Sequence, residues 1–171
     1  MTRAEGRAHA LRAFADLLSY PAADPVPVAR RCQRLVGERA ARHLDAFVTW
    51  AERAKPYDVE EAYSATFDLQ PTCAPYVGHH LCGDSPRRGE FLVRLAGIYR
   101  DGGFVDPTGE NELPDHLSVV LRYLAATPTG EARDALLEDG LLPSLDKMLA
   151  ALEDPTNAYR SVLEALREEV R

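Results

Sequence analysis

No stretch of this chain stays apolar and uncharged for anything near the roughly 18 residues that a membrane span needs. No secretory signal is visible either, because the first apolar stretch, Ala8 to Ala15, is interrupted by Arg12 and followed by Asp16. Cysteine is scarce: Cys32, Cys73 and Cys82 are irregularly spaced and cannot all pair with one another, and neither CxxC nor HxxxH occurs. A disulfide scaffold and a standard zinc module are excluded on those grounds. The glycines form no G-x-G-x-x-G turn and no Walker-type loop with its lysine, so nothing reads as a phosphate cradle. Basic residues are outnumbered, 20 against 27, for a net charge of −7. A surface that displaces counterions from nucleic acid is therefore missing. The expectation is a soluble, cytoplasmic protein with reduced thiols, no nucleic-acid partner and no stable membrane association. The acidic balance aids solubility and also suits a cationic partner, whose approach a negative field speeds.

What is present is helical periodicity, and no segment alternates convincingly as a strand. With 46% hydrophobic residues in 171, the chain can form one sizeable core. Leu11, Phe14, Leu17 and Leu18 share the first helical face, which Tyr20-Pro21 ends. Pro25 and Pro27 bracket a turn before a helix on Val28, Cys32, Leu35 and Val36, and a third helix carries Leu44, Phe47, Val48 and Ala51 up to Lys55-Pro56. Asp58 with Glu61 reads as a capping box for a helix that carries Ala62, Tyr63, Thr66 and Phe67. Gln70 to Gly78 is the least regular stretch. Ser85-Pro86 starts a helix whose buried stripe is Phe91, Leu92, Leu95, Ile98 and Tyr99, released at Gly102-Gly103. Leu113, Leu117, Val120, Leu121 and Leu124 mark the next face, then Leu141, Leu145, Met148, Leu149 and Leu152. A last helix, capped by Asp154-Pro155, carries Tyr159, Val162, Leu163 and Leu166. The chain is expected to be all-α, a single-domain helical bundle over residues 1–171.

The densest polar cluster runs from His79 to Glu90. His79, His80 and Cys82, with His116 further on, raise a metal-dependent or thiol enzyme as an alternative function. The three are too close together to supply two well-formed zinc pairs, and a free cysteine usually behaves as a small apolar residue. Glu112-Leu113-Pro114-Asp115-His116-Leu117 says more. Pro114 suits a first helical turn, and Asp115 beside it would meet the positive end of the helix dipole. Around that helix His116, Val119 and Tyr123 form a second, partly apolar flank, which either lies under neighbouring helices or walls a groove for an apolar peptide helix.

Three ordered motifs carry a family resemblance: Tyr63-x-x-x-Phe67-Asp68; His80-x-x-Gly83-Asp84-Ser85-x-x-Arg88-Gly89; and Glu112-Leu113-Pro114-Asp115-His116-Leu117 followed by Tyr123-Leu124-Ala125. With them the chain resembles the NarJ-like branch of the TorD/DmsD superfamily, the maturation chaperones of nitrate reductase and related molybdoenzymes. The resemblance implies an all-helical chaperone that is not an enzyme, takes no cofactor of its own and exists as monomer or dimer. Its implied partner is the N-terminal leader of the molybdenum-containing catalytic subunit. The chaperone would hold that subunit during cofactor insertion and prevent premature export or membrane attachment. It also marks Tyr63, Phe67, Asp68, His80, Arg88, Gly89, Asp115 and His116 as client-binding positions. Asp84 and Glu90 are added as carboxylates edging a groove, and Val119 and Tyr123 as its apolar flank. Charge reversal at Asp115 is expected to weaken client binding more than reversal at Asp139.

Overall fold

A computed structural model of the chain describes residues 2–69 and 71–171. Gln70, where the irregular stretch was expected to begin, lies outside the described residues. Helix α1 (Arg3–Leu17) starts on Thr2, whose hydroxyl accepts the Glu5 N–H at 3.2 Å while the Glu5 carboxylate accepts the Thr2 N–H at 2.7 Å. Helix α2 (Val26–Leu35) takes Pro27 into its first turn, where the missing N–H has no partner to lose. Helix α3 (Glu38–Ala51) ends before Lys55-Pro56. Helix α4 (Pro56–Tyr63) begins earlier than Asp58, which sits inside its first turn and accepts the Lys55 N–H at 2.8 Å. A π-helical turn, Ser64–Asp68, prolongs it.

Helices α5 (Val77–Cys82) and α6 (Pro86–Asp101) follow. Ser85 precedes α6 as expected, but its hydroxyl donates to the Cys82 carbonyl at 2.8 Å and caps nothing. Helix α7 (Leu117–Ala126) starts after the Pro114-Asp115 segment, so Leu113 is outside it and 43% exposed. Helix α8 (Glu131–Ala135) runs through a π-helical turn, Leu136–Leu141, into α9 (Leu142–Ala151). Helix α10 (Ala158–Val170) is capped by Asn157, whose side chain accepts the Arg160 N–H at 3.1 Å, while Asp154 closes the preceding turn on Thr156. Among the described residues there is no strand, and Tyr76 with His116 forms an isolated antiparallel bridge.

The core follows from the apolar faces. Helix α3 packs along α10, α1 lies between α2 and α7, and α9 lies against α5 and α10. Tyr159 ties the layers together, its ring 5.3 Å from Phe47, 5.5 Å from Tyr63 and 5.4 Å from Phe67. Every residue of α7 from Leu117 to Ala125 is buried. Arg122 is tolerated there because Asp16 and Asp106 lie 3.5 and 3.6 Å from its guanidinium and Ser19 Oγ accepts from it at 3.3 Å. Helix α6 is the exception to this close packing. It rests chiefly on α5, and only Leu95 and Tyr99 of its expected stripe are buried; Phe91, Leu92 and Ile98 are half-exposed. No helix of the described residues is long and apolar enough to cross a membrane.

Candidate functional site

Asp115 organises the region that joins α5, α6 and α7. Its side chain is fully buried, and one oxygen accepts the Gly78 N–H at 3.0 Å. Its carbonyl accepts the Val77 N–H at 2.9 Å. Asp115 thus faces the N-terminal end of α5 and not that of α7, where the sequence suggested it. Arg88 of α6 approaches the same carboxylate oxygen at 3.4 Å and lies over the Tyr76 ring at 5.4 Å. Burial raises the Asp115 pKa against the lowering pull of Arg88 and the Gly78 N–H. The approach is close enough to exclude a side chain at position 78: a Cβ there would stand 2.7 Å from the Asp115 oxygen and 2.8 Å from the Phe91 ring.

His116 is the N-cap of α7. Its Nδ1 accepts the Ser118 N–H at 3.1 Å and lies 2.7 Å from Ser118 Oγ. Burial lowers its pKa, with Arg122 acting in the same direction, while Glu112, Asp68 and Asp106 oppose the shift. Its ring borders a hollow of about 330 Å³ lined also by Tyr20, Asp68, Tyr76, Glu110 and Glu112. On another side of α5 lies a longer apolar groove of about 470 Å³. Leu81, Phe91, Leu95 and Ile98 form one wall, Ala132, Ala135 and Leu136 the other, and Glu131, Asp139 and Arg94 edge it.

The metal centre suggested by His79, His80, Cys82 and His116 does not assemble. Among the described residues no three His, Cys, Asp or Glu side chains are placed to hold a metal ion. His80 Nε2 is 2.6 Å from the Ala74 carbonyl, and Nδ1 of His116 is committed to Ser118. Of the three cysteines, Cys32 and Cys73 are buried and their thiols are pushed up to about 12, whereas Cys82, the one beside the histidines, is only partly buried.

The family model described as the nitrate reductase delta subunit matches residues 35–165, a span that holds α5, α6, α7, the hollow's carboxylates and both walls of the groove. The chain belongs to that family. The nitrate reductase molybdenum cofactor assembly chaperone NarJ of Escherichia coli (strain K12) is 30% identical over 126 residues, covering 74% of this chain and 52% of that protein. This delta-subunit-family chain therefore spans about half the length of the E. coli relatives it matches. A Bacillus subtilis (strain 168) protein named as the corresponding NarJ chaperone is 31% identical over 159 residues, 90% of this chain and 84% of its own. A crystal structure from Archaeoglobus fulgidus, described as a redox enzyme maturation protein, has the same fold. It gives a TM-score of 0.67 over 95% of this chain and 91% of its own, at 22% identity.

Within this family member the residues singled out by sequence separate into three groups. Tyr63, Phe67, Asp115, His116, Val119 and Tyr123 are buried, although Tyr63 and His116 still border the hollow and Val119 borders a second one beside Phe104. His80 and Arg88 are half-buried. Asp68, Asp84, Gly89 and Glu90 are exposed, and of these only Asp68 borders the hollow. None of the twelve lines the apolar groove. Asp115 is out of a client's reach, whereas Asp139 stands on the groove's edge. Sequence reasoning overlooked α8 and the small residues Ala132 and Ala135, although Gly130 before Glu131 is a usable start signal.

Proposed function

We propose that this chain is a cytoplasmic assembly chaperone, not an enzyme, for the molybdenum-containing catalytic subunit of a nitrate-reductase-type oxidoreductase. It binds that subunit's N-terminal leader, holds the subunit while the molybdenum cofactor is inserted, and prevents premature export or membrane attachment. Family membership and the named NarJ relatives support the client class. The observation that carries the binding mode is the open apolar groove between α6 and α8. Half-exposed Phe91 and Ile98 face the small Ala132 and Ala135 across a space that no element of the described residues fills. An amphipathic leader helix can place its apolar side chains there, and their burial supplies the affinity once ordering costs are met. Glu131 and Asp139 at the edge favour a leader whose polar face is basic.

Calorimetric titration of the full chain with a peptide of about 20 residues, enough for an apolar helix of several turns, tests this. The peptide is the N-terminus of the nitrate reductase catalytic subunit from the same organism. Binding is expected, and Ala135→Trp, which fills the groove from an exposed position, should weaken it about tenfold or more while leaving helicity unchanged. Equal affinity in the two proteins would remove the groove from the account, and absence of binding to either would remove the leader.

A further inference from the structure

The two walls of the apolar groove differ in size and in charge. On α6, Arg87, Phe91, Arg94 and Ile98 recur at the spacing of one helical face, and Leu95 and the neighbouring Leu81 broaden it. The opposite wall is kept low by Ala132 and Ala135 and carries Glu131 and Asp139. Arg87, Arg94, Glu131 and Asp139 are all exposed, and among the described residues none of the four has an opposite charge within 4 Å. One wall is therefore bulky and cationic, the other small and anionic, and neither neutralises the other. A basic helix matches the second wall and leaves Arg87 and Arg94 without a counter-ion.

Both mismatches vanish against a second copy of the same surface. A two-fold axis lying in the plane of contact and running along the groove places α6 of each copy over α8 of the other. Phe91 and Ile98 then meet Ala132 and Ala135, and Arg87 and Arg94 meet Glu131 and Asp139. Each set of contacts occurs twice, because such an interface is isologous. The alternative axis, across the groove, stacks α6 on α6 and sets large against large and cation against cation. Size and charge thus select the same axis independently.

We propose that the apolar groove is also a self-recognition surface: a second copy of this chain docks on it, α6 over α8 and α8 over α6, and closes it to other ligands. The contact is modest. With 16 residues α6 is about 24 Å long, and two helices side by side are about 20 Å wide. That footprint of about 500 Å² falls short of the roughly 800 Å² per partner in a stable complex. Self-association is therefore weak and reversible, as a removable cover requires. That the cover competes with a leader rests on the leader reading; the self-contact does not.

Sedimentation velocity of the full chain over about 5–500 μM tests the proposal, and the wild type should pass from monomer towards dimer within that range. Two variants reverse charge at exposed positions only: Arg87→Glu/Arg94→Glu on α6, and Glu131→Lys/Asp139→Lys on α8 and its π turn. Each alone brings like charges together at both contacts and should dimerise about tenfold or more weakly than wild type. Mixed in equal amounts, the two restore opposite charges at both contacts and should dimerise again. A wild type that stays monomeric, single variants that dimerise like wild type, or a mixture that remains monomeric overturns the proposal. An excess of the nitrate reductase leader peptide should return the wild-type dimer to monomer, and a dimer that binds the peptide and persists overturns the closure of the groove. If the dimer forms as described and no peptide binds, the self-contact stands and the leader reading falls. If the peptide binds a wild type that is monomeric throughout, the leader reading stands and the self-contact falls.

Discussion

Replacing Gly78 by alanine puts the junction of α5, α6 and the Asp115 segment under direct test. The new Cβ would lie 2.7 Å from the Asp115 carboxylate and 2.8 Å from the Phe91 ring, against about 3.5 Å for a comfortable carbon contact. Neither neighbour can yield freely. The carboxylate is fully buried and accepts the N–H of this same residue at 3.0 Å, and Phe91 is anchored on α6. Losing a hydrogen bond to a buried charged acceptor costs about 1.5–3 kcal/mol, and overpacking adds about 1–3 kcal/mol. The better helix propensity of alanine returns at most about 1 kcal/mol. The net expectation is about 2–5 kcal/mol of destabilisation, or about 5–15 °C in the midpoint of thermal unfolding for a chain of this size. Gly89→Ala is the internal control, since a Cβ there meets nothing within 4 Å and the residue lies inside α6. It should stabilise by about 0.5–1 kcal/mol. Circular dichroism melts of the three proteins decide the matter. A Gly78→Ala midpoint equal to or above wild type would refute the close approach around Asp115.

His116→Asn should keep the α7 cap, since asparagine is a good capping residue, and remove a titration. The folded-state pKa of His116 lies below its ordinary 6.5 because burial disfavours the charged ring. The unfolded chain therefore binds the proton more readily, so the wild type loses stability as pH falls below about 6.5. Urea midpoints measured through this acid range should fall less in the variant, and parallel pH curves would contradict the assignment. Asp115 has the opposite sign: its raised pKa makes wild-type stability decline as pH climbs above 3.8 towards the folded value. Arg122→Leu strands the Asp106 carboxylate and leaves Asp16 to solvent; a loss of about 2–3 kcal/mol in urea unfolding is expected, and a neutral result would show that the pairing contributes nothing.

The helical class and most of the core were legible because the apolar period specifies which side of each helix is buried. Leu11, Phe14, Leu44, Phe47, Leu121, Leu145 and Leu163 all lie in the core. Where the period fails, so does the reading. Helix α5 is six residues long, too short to show a repeat, and the π turns break the register of the helices they prolong. Periodicity also reports which face is apolar and not what covers it. Phe91 and Ile98 therefore read as core although they border an open groove, and the flank with Val119 and Tyr123 reads equally as covered or as a groove wall, although both residues are buried. Asp115 was recognisable as significant, but its partner Gly78 lies 37 positions away and no local rule connects them.

The π turn between α8 and α9 lets one continuous rod serve two purposes. Its wider winding accommodates an extra residue, and each residue added to an α-helix swings the following side chains by about 100°. Upstream of the turn, Ala132 and Ala135 look outward into the groove; downstream, Leu145 and Met148 look inward and are fully buried. A chain shortened by one residue between Leu136 and Leu141 would wind as an ordinary helix. It could then orient only one of the two segments correctly, trading a recognition surface for a foundation.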